Sequence, residues 1–341
     1  MITELCVIGH ASNLGGADTE LDHQIYCWQN MGIKVHICHT GELSPRLLDM
    51  KLQDRGCIYH KSRDWPSLKG FHVISFCNGR FLENLEIIKI YAKTATFVNC
   101  MTWAFRKEIE FQRKGLIDFH LYQTDHGMDM IGSKLKNLGK PYRAIRVDPY
   151  FKRDDFPFII NRSNETFKFG RISRGDAQKF NVHQLDIYKK FYSKKPKDGI
   201  IMGWGPKTIS KYPNQSIPNY IKTYPECGIS QQDFYKHCDS VIMSTDTFEN
   251  LPRVGMESIS SGSVLVVDNR GGWKHLVNNG VTGFLCNDVN DFITKSTLLA
   301  NNDNIRESMR HEAIKKLDVT WGMEAAMKSW DKVFTQVEKL K

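Results

Sequence analysis

Residues 249–257 read Glu-Asn-Leu-Pro-Arg-Val-Gly-Met-Glu, so that Glu249 and Glu257 stand eight positions apart. A small-residue patch follows at 258–262, and an apolar run follows at 263–268. This order indicates a strand end, a loop, a short helix and the next strand. One carboxylate is then on the loop and the other is inside the helix. Such a pair suits a ligand that is anionic in the middle and rich in hydroxyl groups at both ends.

The predicted helix start has the features of an anion site. Pro252 fits a first helical position, where its missing N–H costs nothing, and Gly262 fits the C-terminal stop. The free N–H groups and the dipole at the start favour phosphate. A nucleoside diphosphate sugar is a ligand of this kind, with Glu249 facing the sugar hydroxyls and Glu257 facing the ribose. The alternative is a helix with one capping and one solvated carboxylate.

Four stretches in the same order resemble glycosyltransferase family 4, whose members are retaining enzymes with the GT-B fold. They are the "GR…K" turn at Lys168–Lys179, the "G-x-G-p" strand end at Ile200–Pro206, the Glu-x7-Glu motif within Ser244–Glu257, and the Gly-Gly and "dG-x-tG" segment at Asn269–Leu285. The resemblance covers most of residues 165–290 and is weaker in the first half of the chain. It implies an α/β, GT-B fold of two Rossmann-like domains, with parallel sheets facing a central cleft.

The resemblance also implies roles for particular residues. The catalytic candidates are Glu249, Arg171 and Lys179. The donor-binding candidates are Glu257, Arg174, Gly16, Gly15, Asn250, Leu251, Pro252, Arg253, Gly203 and Cys227. Arg171, with Arg174 or Lys179, is expected to bind the departing diphosphate and offset its charge. The lysine comes later than is usual for the family, so Arg174 and Lys179 remain alternatives for one role.

The sugar-side loop departs from the family, because Asn250–Gly255 replaces the usual Gly-Phe-Gly. The segment 225–229, which contains Cys227, stands where similar enzymes hold the base, largely through backbone groups. By resemblance the transfer is retaining, and the leaving diphosphate helps to deprotonate the acceptor. We expect no cofactor and no metal ion, because the histidines and cysteines lack zinc-ligand spacing and no Asp-x-Asp stands at a strand end.

The composition is that of a folded protein with two domains of ordinary size: 341 residues, 41% hydrophobic and 25% charged. Strand and helix patterns alternate in the first half, with strands predicted at Leu5–Gly9, Ile33–Cys38, Phe71–Phe76, Ala95–Asn99, Phe119–Gln123 and Arg143–Val147. After a turn-rich segment at 148–165 the strands resume at Thr166–Gly170, Gly199–Gly203, Ser240–Ser244 and Ser263–Asp268. We therefore predict an acceptor-side domain at 1–150, a nucleotide-sugar domain at 151–320, and a C-terminal helix at 321–341 that crosses back to the first domain.

The chain has no apolar run of transmembrane length, and its first residues lack a basic leader region. Its nine cysteines are scattered and odd in number, which argues for free thiols in a reducing compartment. These features predict a cytoplasmic protein without an integral membrane segment. The sequence does not indicate an oligomeric state.

The net charge of +9 is concentrated in residues 151–200, which hold 12 basic and 6 acidic side chains. Part of this excess is the basic run Lys189–Lys197, which has aromatic residues between its lysines. Such a run can bind a nucleic-acid backbone, although a solvated helix end is the simpler interpretation. Two acceptors therefore stay open: a hydroxymethylpyrimidine in DNA, as in phage DNA glycosyltransferases, and a saccharide or lipid-linked intermediate of a surface polymer.

Two rival functions share the same fold class. One is a catalytically inactive module that binds a nucleotide or DNA. The other is an epimerase or phosphorylase of the GT-B type. Intact Glu249, Glu257 and Arg171 argue against the inactive module, and release of nucleoside diphosphate from a donor sugar distinguishes it from an enzyme.

Overall fold

The structure is a computed structural model that describes residues 2–9, 16–41, 47–160, 162 and 165–340. The chain divides into two compact units. Unit 1 is Met1–Phe151 with Thr320–Lys341, and unit 2 is Lys152–Val319. Each unit contains one parallel sheet with helices around it, which is the fold class that the sequence predicts.

Unit 1 contains a seven-stranded parallel sheet with the order β3-β2-β1-β4-β5-β6-β7. Its strands are β1 (Glu4–Ile8), β2 (Lys34–Cys38), β3 (Ile58–Tyr59), β4 (His72–Phe76), β5 (Thr94–Val98), β6 (Phe119–Tyr122) and β7 (Ala144–Arg146). Every residue of β4, β5 and β6 is buried, as expected for strands covered on both faces. The chain order reverses between β1 and β4, which makes their carboxyl ends a topological switch point.

The helices of unit 1 are α1 (Gly16–Asn30), α2 (Leu47–Asp54), α3 (Gly79–Glu83), α4 (Leu85–Tyr91), α5 (Arg106–Lys114) and α6 (Asp125–Leu135), joined by the C-terminal α14 (Met323–Lys339). The contact between α14 and α1 is aromatic. Trp330 lies against Trp28 edge to face, with ring centroids 4.9 Å apart, and both side chains are fully buried. The last helix of the chain therefore belongs to the core of unit 1.

Unit 2 contains a six-stranded parallel sheet with the order β10-β9-β8-β11-β12-β13. Its strands are β8 (Phe167–Ile172), β9 (Lys197–Met202), β10 (Ile221–Tyr224), β11 (Ser240–Met243), β12 (Val264–Asp268) and β13 (Gly283–Cys286). Its helices are α7 (Gln184–Lys190), α8 (Pro206–Ile209), α9 (Gln231–His237), α10 (Arg253–Ser260), α11 (Trp273–Leu276), α12 (Val289–Asn301) and α13 (Asp303–Trp321), the last of which ends in unit 1. The switch point of this sheet lies between β8 and β11.

One predicted strand end was wrong. The sequence placed the end of β8 at Gly170, but the strand continues to Ile172 and pairs with β9 over its whole length. Arg171 consequently lies within a central strand and not in the turn after it. Its side chain points into the interior of the unit, where it is fully buried.

The helix between the two glutamates is α10, and its ends are close to those predicted. Pro252 immediately precedes the helix, because its ψ of 107° keeps it extended. Gly262 ends the helix with φ +81°, and its N–H donates to the carbonyl of Ile259 (2.9 Å). The N–H of Ser263 donates to the carbonyl of Ser258 (2.8 Å), which completes a Schellman motif. The predicted glycine stop is confirmed.

No helix among the described residues is long and apolar enough to span a membrane. All nine cysteines lie in the described part of the chain, and none of them forms a disulfide.

Candidate functional site

The candidate site of unit 2 lies at the carboxyl ends of β8 and β11, the switch point of its sheet. Two backbone hydrogen bonds hold the segments after these strands together. Asn181 N–H donates to Ser244 O (3.2 Å), and Asp246 N–H donates to Gln178 O (3.2 Å). Asn181 also donates from its side chain to the Asp246 carboxylate (2.7 Å). The two segments therefore form one continuous surface at the place where open α/β sheets bind ligands.

An ion pair joins the same two segments. Lys179 Nζ lies 2.6 and 2.8 Å from the two carboxylate oxygens of Glu249. Both side chains are mostly covered, with 20% of Lys179 and 16% of Glu249 exposed. The structure thus brings together two of the three predicted catalytic residues, which are 70 positions apart in the chain.

Arg171, the third predicted catalytic residue, is a structural neighbour of this pair. Its guanidinium donates to the carbonyl of Lys179 (2.6 Å) and to Gln184 Oε1 (3.2 Å), and it lies 3.5 Å from the centre of the Phe180 ring. Burial lowers the pKa of Arg171 from its ordinary value. The group has no surface open to a ligand, so in this structure it supports the backbone of Lys179 and does not face a diphosphate.

Three buried residues of this framework were missed by the sequence analysis. Gln184 Oε1 also accepts from the Ser244 N–H (2.8 Å), so one amide links β8 to the segment after β11. Asp268, at the end of β12, accepts from the Thr245 N–H and hydroxyl (both 2.9 Å). Tyr235 on α9 is the partner of Glu257. A buried glutamine, aspartate or tyrosine has no distinctive spacing in the sequence. Of the three, only Asp268 could have been identified as a site candidate, because it stands at a predicted strand end.

Two glycines bring the next turn against the backbone of the Glu249 loop. Gly272 N–H donates to Glu249 O (2.7 Å), and a Cβ on Gly272 would stand 1.4 Å from Asn250 O. A Cβ on Gly271, whose φ is +55°, would stand 2.5 Å from Glu249 O. This approach is open only to glycine, so the Gly-Gly pair fixes the position of the loop that carries Glu249.

Glu257 lies in the second turn of α10 and is buried, with 2% of its surface exposed. Its Oε2 accepts from the hydroxyl of Tyr235 (2.7 Å). Burial raises the pKa of the Glu257 carboxyl from its ordinary value, while the hydrogen bond from Tyr235 and the charge of Arg253 act in the opposite direction. The second glutamate of the motif is therefore a buried acceptor held by a neighbouring helix.

Arg174, Gly203 and Cys227 lie at the carboxyl ends of β8, β9 and β10. Gly203 has φ +95°, and a Cβ there would stand 2.1 Å from Ser173 O, so glycine lets β9 approach the turn that carries Arg174. Cys227 is exposed, with φ +59°, in the turn after β10. The side chain of Arg174 is 59% exposed and lies 3.3 Å from Asp176. Arg174 is thus the accessible cation of this turn, whereas Arg171 is buried.

The other predicted donor-binding residues fall into two groups. Asn250, Leu251, Pro252 and Arg253 are all buried around the start of α10. Any contact that the first three make with a ligand would therefore come mainly from their backbone. Gly16 is the exposed first residue of α1 in unit 1. Gly15 lies outside the described residues.

The chemistry available in unit 2 follows from these positions. Lys179 provides a cation next to Glu249, which stands four residues before the first residue of α10, and Arg174 provides an exposed cation in the turn after β8. The N-terminus of α10 has no side-chain cap. Glu249 and Glu257 provide carboxylate oxygens that accept from hydroxyl groups. Cations and a helix N-terminus bind an anion, and carboxylates bind sugar hydroxyls.

Comparisons with known proteins bear on the fold and on one segment of unit 2. Residues 230–316 match the family described as "Glycosyl transferases group 1", and this segment contains both Glu249 and Glu257. No curated protein matches the sequence at a significant level. Solved structures, however, match it along nearly its whole length.

Three of these structures illustrate the likeness. HepE from Anabaena, in complex with UDP and glucose, is 11% identical, with 98% of this chain and 100% of that chain covered and a TM-score of 0.73. A glycosyltransferase from Rickettsia africae is 12% identical, with 99% of each chain covered and a TM-score of 0.75. S. aureus TarM, in complex with fondaparinux, α-GlcNAc-glycerol and UDP, is 11% identical, with 98% and 100% covered and a TM-score of 0.72. At these identities the likeness shows the fold, and with the matched segment it supports a GT-B glycosyltransferase.

Proposed function

We propose that this protein is a retaining glycosyltransferase, which moves a sugar from a nucleoside diphosphate sugar to an acceptor hydroxyl. The observation that carries the proposal is the Lys179–Glu249 pair at the switch point of unit 2, with Glu249 four residues before the first residue of α10. The matched segment at 230–316 and the UDP-bound neighbours of the same fold support it. The retaining outcome rests on the resemblance of the two-glutamate motif to glycosyltransferase family 4.

Each residue of the site has a part in the proposed reaction. Lys179 and Arg174 bind the diphosphate, Glu249 binds the transferred sugar, and Glu257 binds the ribose. Arg171 is a positioning residue, because it holds the carbonyl of Lys179 and so fixes the backbone from which the lysine side chain reaches Glu249.

The proposed transfer needs no nucleophile from the protein. The acceptor oxygen forms a bond to the anomeric carbon on the face that the diphosphate leaves, and the bond between that carbon and the β-phosphate oxygen breaks. The acceptor proton passes to an oxygen of the leaving diphosphate. Lys179 and Arg174 stabilise the charge that develops on the diphosphate, and we propose that they do so without a metal ion.

The experiment is a thermal-shift screen of nucleoside diphosphate sugars, followed by an assay of nucleoside diphosphate release. Ligand binding raises the unfolding temperature by mass action. Lys179→Ala should lose the shift, whereas Lys236→Ala, at an exposed position on α9, should keep it. An inactive binding module would show the shift but release no nucleoside diphosphate. The anomeric configuration of the product, read by NMR, tests the retaining outcome.

The basic run Lys189–Lys197 gives little support to a DNA acceptor. Lys195 pairs with Asp303 (2.7 Å), and Lys197 donates to the carbonyls of Tyr188 (2.9 Å) and Phe191 (3.2 Å). Two of its five lysines therefore act inside unit 2. A saccharide is the acceptor class that we favour. DNA as the acceptor stays a prediction, which a steep fall of acceptor affinity with salt would support.

A further inference from the structure

Two arginines of unit 1 meet at the carboxyl edge of its sheet, close to the switch point between β1 and β4. Arg63 follows β3, and Arg80 is in the first turn of α3, after β4. Between them is Gly41, three residues after the end of β2. A Cβ on Gly41 would stand 3.3 Å from Nη1 of Arg80 and 3.8 Å from Nη2 of Arg63. Both guanidinium groups therefore border the same small space.

The two like charges have no acidic partner in the part of the chain that the structure describes. No carboxylate there lies within ion-pair distance of Arg63 or Arg80, and both side chains are exposed. Among the described residues, the side chain of Arg63 has one hydrogen bond, from its Nε to Thr40 O (2.9 Å), and none of these residues accepts from its terminal nitrogens. Two neighbouring guanidinium groups repel each other, and an anion placed between them removes this repulsion.

The backbone holds both arginines in place. Arg63 has φ +60°, a conformation that is unfavourable for a side chain of this kind, and its N–H donates to His39 O (2.9 Å). Such a conformation persists only where the surroundings impose it, and it is concentrated at binding sites. On the other side, the Asn78 side chain accepts from the N–H of Arg80 (2.9 Å) and fixes the start of α3.

We infer that Arg63 and Arg80 bind a phosphate group of the acceptor in unit 1. Each guanidinium can make two parallel hydrogen bonds to phosphate oxygens, a geometry that a lysine pair would not offer. The donor candidates of the proposed function are in unit 2, apart from Gly15 and Gly16, so a second anion site in unit 1 fits the other substrate. That the phosphate belongs to an acceptor rests on the proposed function. That Arg63 and Arg80 bind a phosphate group does not depend on it.

The test measures phosphate-ester binding to the full chain by calorimetry, with glucose 6-phosphate as the probe. The variants are Arg63→Asn, which removes the charge while asparagine tolerates the positive φ, and Arg80→Gln. The matched control is Arg113→Gln, at an exposed arginine in the last turn of α5. Each site variant should weaken binding about 10- to 100-fold, and the control should bind as the wild type does.

A further variant separates the two phosphate sites. If Lys179→Ala loses the probe while Arg63→Asn and Arg80→Gln keep it, glucose 6-phosphate binds at the donor site and the inference is wrong. The measurement is repeated with decathymidylate as a phosphodiester and with vesicles that contain phosphatidic acid as a lipid phosphate. The probe that depends on both arginines identifies the source of the phosphate. The inference is wrong if no probe binds, or if every probe binds the wild type and all variants with equal affinity.

The outcome is independent of the donor reaction. Nucleoside diphosphate sugars should raise the unfolding temperature of Arg63→Asn and Arg80→Gln as much as that of the wild type. If no donor sugar binds any variant but glucose 6-phosphate still requires both arginines, the proposed function fails while the phosphate site stands.

Discussion

Lys179 Nζ contacts both carboxylate oxygens of Glu249, at 2.6 and 2.8 Å, across the switch point of the unit 2 sheet. The cation proposed for the diphosphate and the carboxylate proposed for the sugar are therefore already bound to each other. A donor that binds here has to exchange this contact for its own, so the two side chains are expected to respond differently to substitution.

Lys179→Ala should lower the rate of sugar transfer about 100- to 1,000-fold, because it removes a charge that stabilises the departing diphosphate. Nucleoside diphosphate binding should weaken as well. Steady-state kinetics and calorimetry measure the two effects, with Lys236→Ala as the control. A Lys179→Ala enzyme as fast as the control would contradict the assignment.

Glu249→Gln should have the opposite effect on affinity. Loss of the carboxylate charge releases Lys179 from its ion pair, so a nucleoside diphosphate without a sugar should bind at least as tightly as to the wild type. Transfer should nevertheless fall, since the sugar loses its charged acceptor. Calorimetry with the diphosphate, set beside the transfer rate, shows this split. A parallel loss of diphosphate affinity in Glu249→Gln and Lys179→Ala would be evidence against it.

Arg171→Ala should act through stability. The substitution leaves the Lys179 carbonyl and Gln184 Oε1 without their donor and opens space under Phe180. We expect the free energy of unfolding to fall by about 2–4 kcal/mol, measured by urea denaturation. Arg174→Ala, at an exposed position, should change it by less than about 0.5 kcal/mol while it weakens donor binding. If Arg171→Ala is as stable as Arg174→Ala, Arg171 has no positioning role.

The free energy of unfolding of Glu257→Gln should increase relative to that of the wild type as the pH rises. Burial raises the pKa of the Glu257 carboxyl above its ordinary value of 4.5, so the folded protein binds this proton more tightly than the unfolded chain does. Ionisation of Glu257 therefore costs stability as the pH rises from 4.5 through the raised value in the folded state. Glutamine does not ionise, so the variant lacks this pH-dependent cost, and its side-chain oxygen can still accept the hydrogen bond from Tyr235. Urea denaturation between acidic and neutral pH measures the difference between variant and wild type, which should grow with pH and not stay constant.

Gly272→Ala should displace the Glu249 loop, because its Cβ would overlap with Asn250 O. The strain should cost about 1–3 kcal/mol of unfolding free energy and reduce transfer. Gly205→Ala is the matched control, since a Cβ there meets no atom within 4 Å. Equal stability of the two variants in urea denaturation would show that the glycine pair is not required for the loop.

The strands that the sequence missed are β3, β10 and β13, and all three lie at sheet edges. A central parallel strand is covered on both faces and appears as an apolar run, as in Val264–Asp268. An edge strand needs no such run: β3 has only two residues, and β10 has a single buried one. In β13 all four residues are buried, but the run is short and begins with glycine. The apolar pattern therefore predicted the interior strands of each sheet and the edge strand β7, but not the other three edge strands.

The sequence by itself determined the two parallel-sheet units, the glycine stop of α10 and the position of two glutamates around that helix. These features follow from local patterns of apolar residues, glycine and proline. The tertiary structure alone decided that Arg171 is buried, that Lys179 pairs with Glu249, and that Arg63 and Arg80 border one space. The reason is physical, since burial and charge pairing depend on which distant segments meet at a sheet edge, and residue spacing along the chain does not specify that.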